Sequence, residues 1–291
     1  MAARRSSGWI SRRFVGSAFR QAPYRALAGA AAIFVLSPMT SAPSLAATAT
    51  ECTVINVCYC INADLKSAID ATVTKLKQRI VEEKNKGKAI GYLSIPISTA
   101  GGSYFRINRE IAAQTKARIE KRFGTNSLWI LNPGTDEANL PAGASGADYM
   151  MMWTRILEGD RGLGEDLDFV YFTGPSDFAA YFDLTGTADM ERIEARFDKE
   201  LKEDTELQKA VDQGRLSKIS FRNYYALRAS VSFSSGSHDE WNIVRIFNER
   251  RRGADRYGVI NQLPILFEGR ALPPGSYEDA IAFGYAGRCV N

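Results

Sequence analysis

Histidine and cysteine are scarce in this sequence, which has one His and four Cys in 291 residues. The histidine, His238, is far from the cysteines, and Cys58 and Cys60 are separated by one residue rather than the two of a common zinc ligand pair. Three motifs are absent: the phosphate-binding G-x-x-x-x-G-K-[ST] loop, the dinucleotide-binding G-x-G-x-x-G turn and the H-E-x-x-H metal helix. We therefore predict no metal and no cofactor.

Acidic residues and lysine are absent from the first 25 residues, which contain six arginines. The apolar run that follows, Ala26 to Met39, is about 14 residues long, whereas a membrane-spanning helix needs roughly 20. Ser44-Leu45-Ala46 then provides a small-residue cleavage signal. This order predicts a cleaved secretory signal peptide over residues 1–46, and the alternative is an uncleaved membrane anchor.

The leader accounts for the excess of basic residues in the whole chain and for the predicted location of the protein. Six of the 37 basic residues lie in it, which leaves 31 basic against 33 acidic residues in the mature chain. Nothing in that balance favours nucleic-acid binding. Ser11-Arg12-Arg13-Phe14-Val15 is similar to a twin-arginine export signal. We expect a periplasmic or secreted protein with no stable membrane insertion after cleavage.

All four cysteines, Cys52, Cys58, Cys60 and Cys289, remain after cleavage. An even number in an oxidising compartment predicts two disulfides, and four cysteines allow three pairings. Because Cys289 lies near the C-terminus, at least one bridge is expected to tie the C-terminus to the N-terminal segment. A loop of that length gives roughly 4–5 kcal/mol of stabilisation as an upper figure.

Helical and strand-like segments alternate along the mature chain, and the strands are short and continuously apolar. This pattern predicts an α/β fold with a doubly wound, mostly parallel sheet and helices on both faces. The expected single domain spans 47–291, with a core at about 88–212 and a C-terminal extension at 213–291. Predicted strands are Ala89–Ile97, Ser127–Leu131, Leu167–Phe172, Val259–Phe267 and Ala282–Tyr285, and predicted helices follow Asn62 and Ser103 and cover Ala147–Leu157, Ser176–Leu184, Met190–Val211 and Trp241–Arg252.

Parallel sheets of this kind bind ligands at the carboxyl ends of their strands. Here those ends are 98–103, 132–136 and 173–177. The loop Gly101-Gly102-Ser103 joins a strand to a helix, where glycines let a ligand approach and the helix N-terminus offers N–H groups to an anion. A plain glycine turn with Ser103 as a helix cap is the alternative.

Three consecutive segments over residues 90–185 follow one another in a distinctive order. The first is the strand Ile90 to Ile97, with Pro96 near its end, and the second is Trp129-Ile130-Leu131-Asn132-Pro133. The third unit is Tyr149–Leu157 followed by Asp168 to Asp177. In their order and spacing these segments resemble the opening strand and turn, the second strand and the third unit of the nucleoside 2-deoxyribosyltransferase-like superfamily.

The resemblance implies cleavage or transfer at the N-glycosidic bond of nucleosides or nucleotides by a carboxylate that attacks the anomeric carbon. The matching stretch places Asp183 at the nucleophile position and Asp177 at the position that orients the substrate. It departs from the family pattern in two ways, because Asp183 replaces a Glu and Ala179 replaces a Gly. The alternative is that Asp177 caps a helix and Asp183 is solvated.

Two functions are compatible with this sequence. The first is an exported N-glycosidase or glycosyl transferase in which the ligand contacts are Ser98, Gly101, Gly102, Ser103 and Pro133. The second is a non-catalytic envelope protein that binds a small nucleoside- or nucleotide-like ligand, or a partner, in the same cleft. The sequence does not predict an oligomeric state.

Overall fold

The computed structural model describes residues 47–98, 100–254, 261–273, 275–276 and 278–290. The predicted leader, with its twin-arginine sequence and its cleavage signal, lies outside these residues. Within the described ranges, no helix is both long enough and apolar enough to cross a membrane.

The centre of the fold is a five-stranded sheet of β3 (Ala89–Ser94), β4 (Leu128–Leu131), β5 (Phe169–Phe172), β6 (Ile265–Phe267) and β7 (Arg270–Ala271), in the order β4-β3-β5-β6-β7. The predicted α/β fold class with a mostly parallel sheet is confirmed, whereas the order of the strands was not predicted. Neighbouring strands from β4 to β6 are parallel, and only the short β7 runs antiparallel. Gly91 of β3 lies between Ile130 and Phe169, whose side chains would clash with a Cβ at this position.

Helices cover both faces of the sheet, because successive strand side chains point to opposite sides. Tyr92 packs into one apolar cluster and Leu93 into the other. Helices α1 (Lys66–Asn85), α3 (Gly146–Leu157) and α8 (Ser235–Ala254) contribute to the cluster around Tyr92. The cluster around Leu93 is formed by α2 (Phe105–Phe123), α4 (Pro175–Tyr181), α5 (Asp189–Glu203), α6 (Thr205–Asp212) and α7 (Lys218–Leu227).

An N-terminal hairpin and two disulfides complete the domain. Strands β1 (Thr48–Cys52) and β2 (Cys58–Asn62) pair antiparallel. Cys52 is bonded to Cys58 and Cys60 to Cys289, so the prediction of two disulfides is confirmed. The second bridge ties the C-terminus to β2, as expected. Helix α8 and strand β6 pack within the core, so the predicted C-terminal extension contributes to the sheet and its cover.

Some local predictions were wrong for identifiable reasons. The helix expected over Met190–Val211 is divided at Asp204, whose extended backbone and side chain cap α6. Ser103 does not cap α2, because its hydroxyl donates to the Ser98 carbonyl and Tyr104 is the N-cap residue. Residues 282–285 form no strand, because their backbone is held by side chains of α8.

Candidate functional site

A cavity of about 410 Å³ opens at the carboxyl ends of β3 and β4. The N-terminal ends of α3 and α8 form its sides, and a segment near the C-terminus contributes one more wall. It is lined by Ile95, Ile97, Ser98, Phe105, Pro133, Asn139, Ala144, Ser145, Gly146, Tyr149, Met150, Trp153, Ser234, Gly236, Ser237, Glu240 and Tyr285. The cavity therefore lies at the edge of the sheet where the sequence predicted a ligand site.

Glu240 is a buried carboxylate in this cavity, and it lies in the second turn of α8. Tyr92 and Ser94, two residues apart on β3, point to the same side of the sheet and each donates a hydroxyl hydrogen bond to one oxygen of Glu240. The pKa of Glu240 is raised to about 7, chiefly by burial and also by the neighbouring charge of Asp239, against the opposing effect of these hydroxyls. Glu240 can thus gain or lose a proton near neutral pH.

Ser237 lies one helical turn before Glu240, and its side chain is buried at the cavity. Its hydroxyl lies close enough to favour the ionised form of Glu240 and so lower that pKa. The hydroxyl oxygen is itself fully buried and makes no hydrogen bond of ordinary geometry with the described residues.

Aromatic side chains form much of the remaining wall. Trp153 is buried beside Tyr92, with 5.7 Å between the ring centroids, and so contacts the residue that holds Glu240. Tyr149, Phe105 and Tyr285 also border the cavity. Such rings suit a planar, partly apolar ligand, because aromatic pairs gain energy from offset or edge-to-face contact.

The N-terminus of α3 is already satisfied by its own residues. The Ser145 hydroxyl accepts from the Asp148 N–H, and the Asp148 carboxylate accepts from the Ser145 N–H, which together form a capping box. Asp148 also accepts from the backbone N–H of Asn62. This buried acid is used in connecting the helix to β2, which leaves Glu240 as the acid that the cavity exposes to a ligand.

The sequence-predicted ligand residues divide into two groups. Ser98 and Pro133 line the cavity, whereas Gly101, Gly102 and Ser103 do not line it. Gly102 has a φ of 107° and approaches the Ser220 carbonyl of α7 so closely that a Cβ would clash. The glycine loop is therefore explained by a left-handed turn and by helix packing, which agrees with the alternative of a plain glycine turn but not with its assignment of Ser103 as a helix cap.

Asp177 is buried on the opposite face of the sheet from Glu240. Its carboxylate accepts from the Tyr171 hydroxyl at 2.9 Å and from the Gly174 N–H at 3.0 Å, and it forms an ion pair with Arg118. As the third residue of α4 it also completes the helix cap. All of these partners are structural, and Asp177 does not line the cavity.

Asp183 is exposed after the end of α4, with a left-handed φ of 54°. Its carbonyl accepts from Arg192, and its side chain borders a separate shallow cavity near Arg196 and Lys199. The structure therefore does not bring Asp183 or Asp177 together with Ser98 and Pro133. The assignment of Asp183 as a nucleophile stays a prediction that this geometry does not favour.

Neither a metal site nor a histidine forms part of the cavity in the part of the chain that the structure describes. No group of three His, Cys, Asp or Glu side chains there could hold a metal ion. His238 is on α8, and its Nε2 atom lies 3.0 Å from the Ser232 carbonyl oxygen. It does not line the cavity that contains Glu240.

Glu240 is not among the site residues predicted from the sequence, although the sequence contains a signal for it. Glu240 precedes Ile243, Val244 and Phe247 at helical spacing, so the acid falls on the apolar stripe of α8. A carboxylate on the buried face of a helix has a raised pKa unless a cation pairs with it. Such a residue is a candidate functional group.

Comparisons with family models, with curated proteins and with solved structures found no match to this chain. The resemblance to nucleoside 2-deoxyribosyltransferases consequently stays a prediction from the sequence. The cavity and the buried acid within it are therefore the strongest indications of function in this molecule.

Proposed function

We propose that this cavity binds a nucleoside-like N-glycoside and that Glu240 is the carboxylate that cleaves its glycosidic bond or transfers its sugar. The observation that carries the proposal is a buried carboxylate with a pKa raised to about 7, in a cavity at the carboxyl edge of a parallel sheet. The resemblance supplies the bond type, and the aromatic wall of Trp153 and Tyr149 suits a planar base.

The chemistry requires the ionised form of Glu240. One carboxylate oxygen attacks the anomeric carbon, the bond to the base nitrogen breaks, and the base leaves with the bonding electrons and takes a proton from solvent. Water or a second base then displaces Glu240 from the glycosyl ester. Tyr92 and Ser94 hold the carboxylate in place during both steps, since each binds one oxygen.

Export is part of the same proposal. Two disulfides are typical of proteins that fold in an oxidising compartment, and the predicted leader supplies the route. The protein would then act on nucleosides in the periplasm or outside the cell.

The test is release of free base from a panel of nucleosides by the mature protein, measured by chromatography. We expect the wild type to release base and Glu240→Gln to lose at least about a hundredfold in rate, as for loss of an essential carboxylate. Asp183→Asn is the matched control, because Asn tolerates a positive φ at this exposed position. Full activity in Glu240→Gln, or its loss in Asp183→Asn alone, would contradict the assignment to Glu240.

A second candidate is a binding protein without catalysis. Both oxygens of Glu240 already accept hydroxyl hydrogen bonds, an arrangement that also suits recognition of a donor group on a ligand. In this case a nucleoside raises the melting temperature of the protein without release of base, and Glu240→Gln weakens that shift.

A further inference from the structure

The C-terminal segment 279–289, here called the strap, runs across the N-terminal half of α8. Asn242 holds it from the helix by a reciprocal pair of hydrogen bonds, in which its side-chain NH2 donates to the Ile281 carbonyl and its oxygen accepts the Ile281 N–H. The Trp241 ring nitrogen donates to the Asp279 carbonyl at 3.3 Å. The strap is thus anchored at its beginning to the helix that carries Glu240.

Asp239 anchors the middle of the strap. Its two carboxylate oxygens accept the backbone N–H groups of Gly284 at 2.6 Å and Tyr285 at 3.0 Å. Asp239 is buried and is the chain neighbour of Glu240. One turn of α8 therefore holds the strap through one carboxylate and presents the other carboxylate to the cavity.

The end of the strap is bound to the N-terminal hairpin. The Gly287 N–H donates to the Cys58 carbonyl, the Cys289 N–H donates to the Thr50 hydroxyl, and Cys289 is bonded to Cys60. Cys60 and Cys289 are 229 residues apart in sequence, and all strands of the central sheet lie between them. The bridge therefore ties the end of the strap to the N-terminal hairpin and closes a long loop.

Between these anchors, Tyr285 forms part of the cavity wall. Its ring packs against Gly146 at the start of α3 so closely that a Cβ on Gly146 would clash with it. Glycine at position 146 therefore leaves the space that the Tyr285 ring occupies. Glu240, Trp153 and Tyr285 come from three different segments, and only the last depends on the strap.

We infer that Tyr285 is a ligand-contacting residue, which the disulfide-bonded strap delivers to the cavity, and that Asp239 is its positioning residue. The identity of the ligand rests on the proposed function, whereas the dependence of the cavity on the strap does not. The bond between Cys60 and Cys289 holds the end of the strap and so supports Tyr285 at the cavity. Tyr285 then selects ligands with a planar group to pack against its ring.

The first experiment needs no ligand. Amide hydrogen exchange is compared in the mature wild type, in Cys60→Ser/Cys289→Ser and in the control Cys52→Ser/Cys58→Ser, which removes the other bridge. We expect exchange in α3 and in the first two turns of α8 to rise about tenfold or more in the Cys60/Cys289 variant and to stay near wild type in the control. Unchanged exchange in the Cys60/Cys289 variant, or an equal rise in both variants, would overturn the inference.

The second experiment measures steady-state release of base from adenosine and inosine by Tyr285→Ala, Tyr285→Phe and Asp239→Asn. We expect KM to rise about tenfold in Tyr285→Ala with kcat little changed, and Tyr285→Phe to retain wild-type KM. Asp239→Asn should raise KM in the same way, because it loosens the strap. A wild-type KM in Tyr285→Ala would overturn the ligand contact. If the wild type itself releases no base, the proposed function fails and the exchange experiment alone decides whether the strap completes the cavity.

Discussion

Two buried acids lie near the carboxyl edge of the same sheet, and their surroundings differ in one respect. Asp177 has an Arg118 guanidinium as a partner, together with the Tyr171 hydroxyl and the Gly174 N–H. Glu240 has the hydroxyls of Tyr92 and Ser94, which are neutral. The first carboxylate is compensated as a charge, whereas the second is only hydrogen-bonded.

This difference separates a carboxylate that is paired with a cation from one that borders the cavity without a cation beside it. A buried charge with an opposite charge beside it stays ionised and supports the fold, whereas a buried acid among neutral donors keeps a raised pKa. Asp177 and Asp183 were predicted from their positions in the segment that resembles the superfamily. Glu240 lies on a helix about 60 residues further along the chain, outside that segment.

The largest effect is expected for Asp177→Ala. The substitution leaves the Tyr171 hydroxyl and the Gly174 N–H without their acceptor and Arg118 without its partner, so the free energy of unfolding should fall by about 4 kcal/mol. Urea denaturation followed by circular dichroism measures it, with Asp183→Asn as the exposed control. A loss of less than about 1 kcal/mol would mean that Asp177 is not the structural acid of the pair.

The second effect is a pH dependence that belongs to Glu240. Its pKa is raised from 4.5 to about 7 in the folded protein. The folded state binds this proton more tightly, so the contribution is fully present below pH 4.5 and is lost as the pH rises to about 7. We expect the wild type to lose about 3 kcal/mol more than Glu240→Gln over this range. Parallel stability curves for the two proteins would contradict the raised pKa.

The smallest effect is expected for Ser94→Ala, which removes one of the two hydroxyls bound to Glu240. This hydrogen bond favours the ionised carboxylate, so its loss should raise the pKa of Glu240 further. The ionised form should lose about 1 kcal/mol of stabilisation relative to the protonated form. The pH midpoint of the stability difference should move upward. Thr at this position keeps the hydroxyl, so Ser94→Thr should show a smaller movement than Ser94→Ala.

Much of the fold could be predicted because its signals are local. The apolar runs around Ile90, Ile130 and Val170 are buried parallel strands, and the even number of cysteines predicted the two bridges. Gly124 ends α2 with a φ of 97°, as expected of a glycine after a helix. The pairing of the cysteines depended on distances in the folded chain, which no spacing rule provides.

The site was less predictable because its parts are distant in sequence. Ser98 and Pro133 were identified by the general rule for strand ends, and both line the cavity. Tyr92 and Glu240 are separated by 148 residues, and they meet only because α8 crosses the face of the sheet above β3. Gly101 and Gly102 do not line this cavity, since a glycine loop suits a tight turn against α7 as well as a ligand.

The most direct test of the reactive role of Glu240 is its own titration, by carbon-13 NMR of the Glu side-chain carboxyl groups in the mature protein. The signal is assigned by its absence from Glu240→Gln. We predict that this carboxyl titrates with a midpoint near pH 7, as its buried position among neutral hydroxyls requires. A midpoint between about 4 and 5, the ordinary range of a solvated Glu, would contradict the claim that Glu240 is the reactive carboxylate of this cavity.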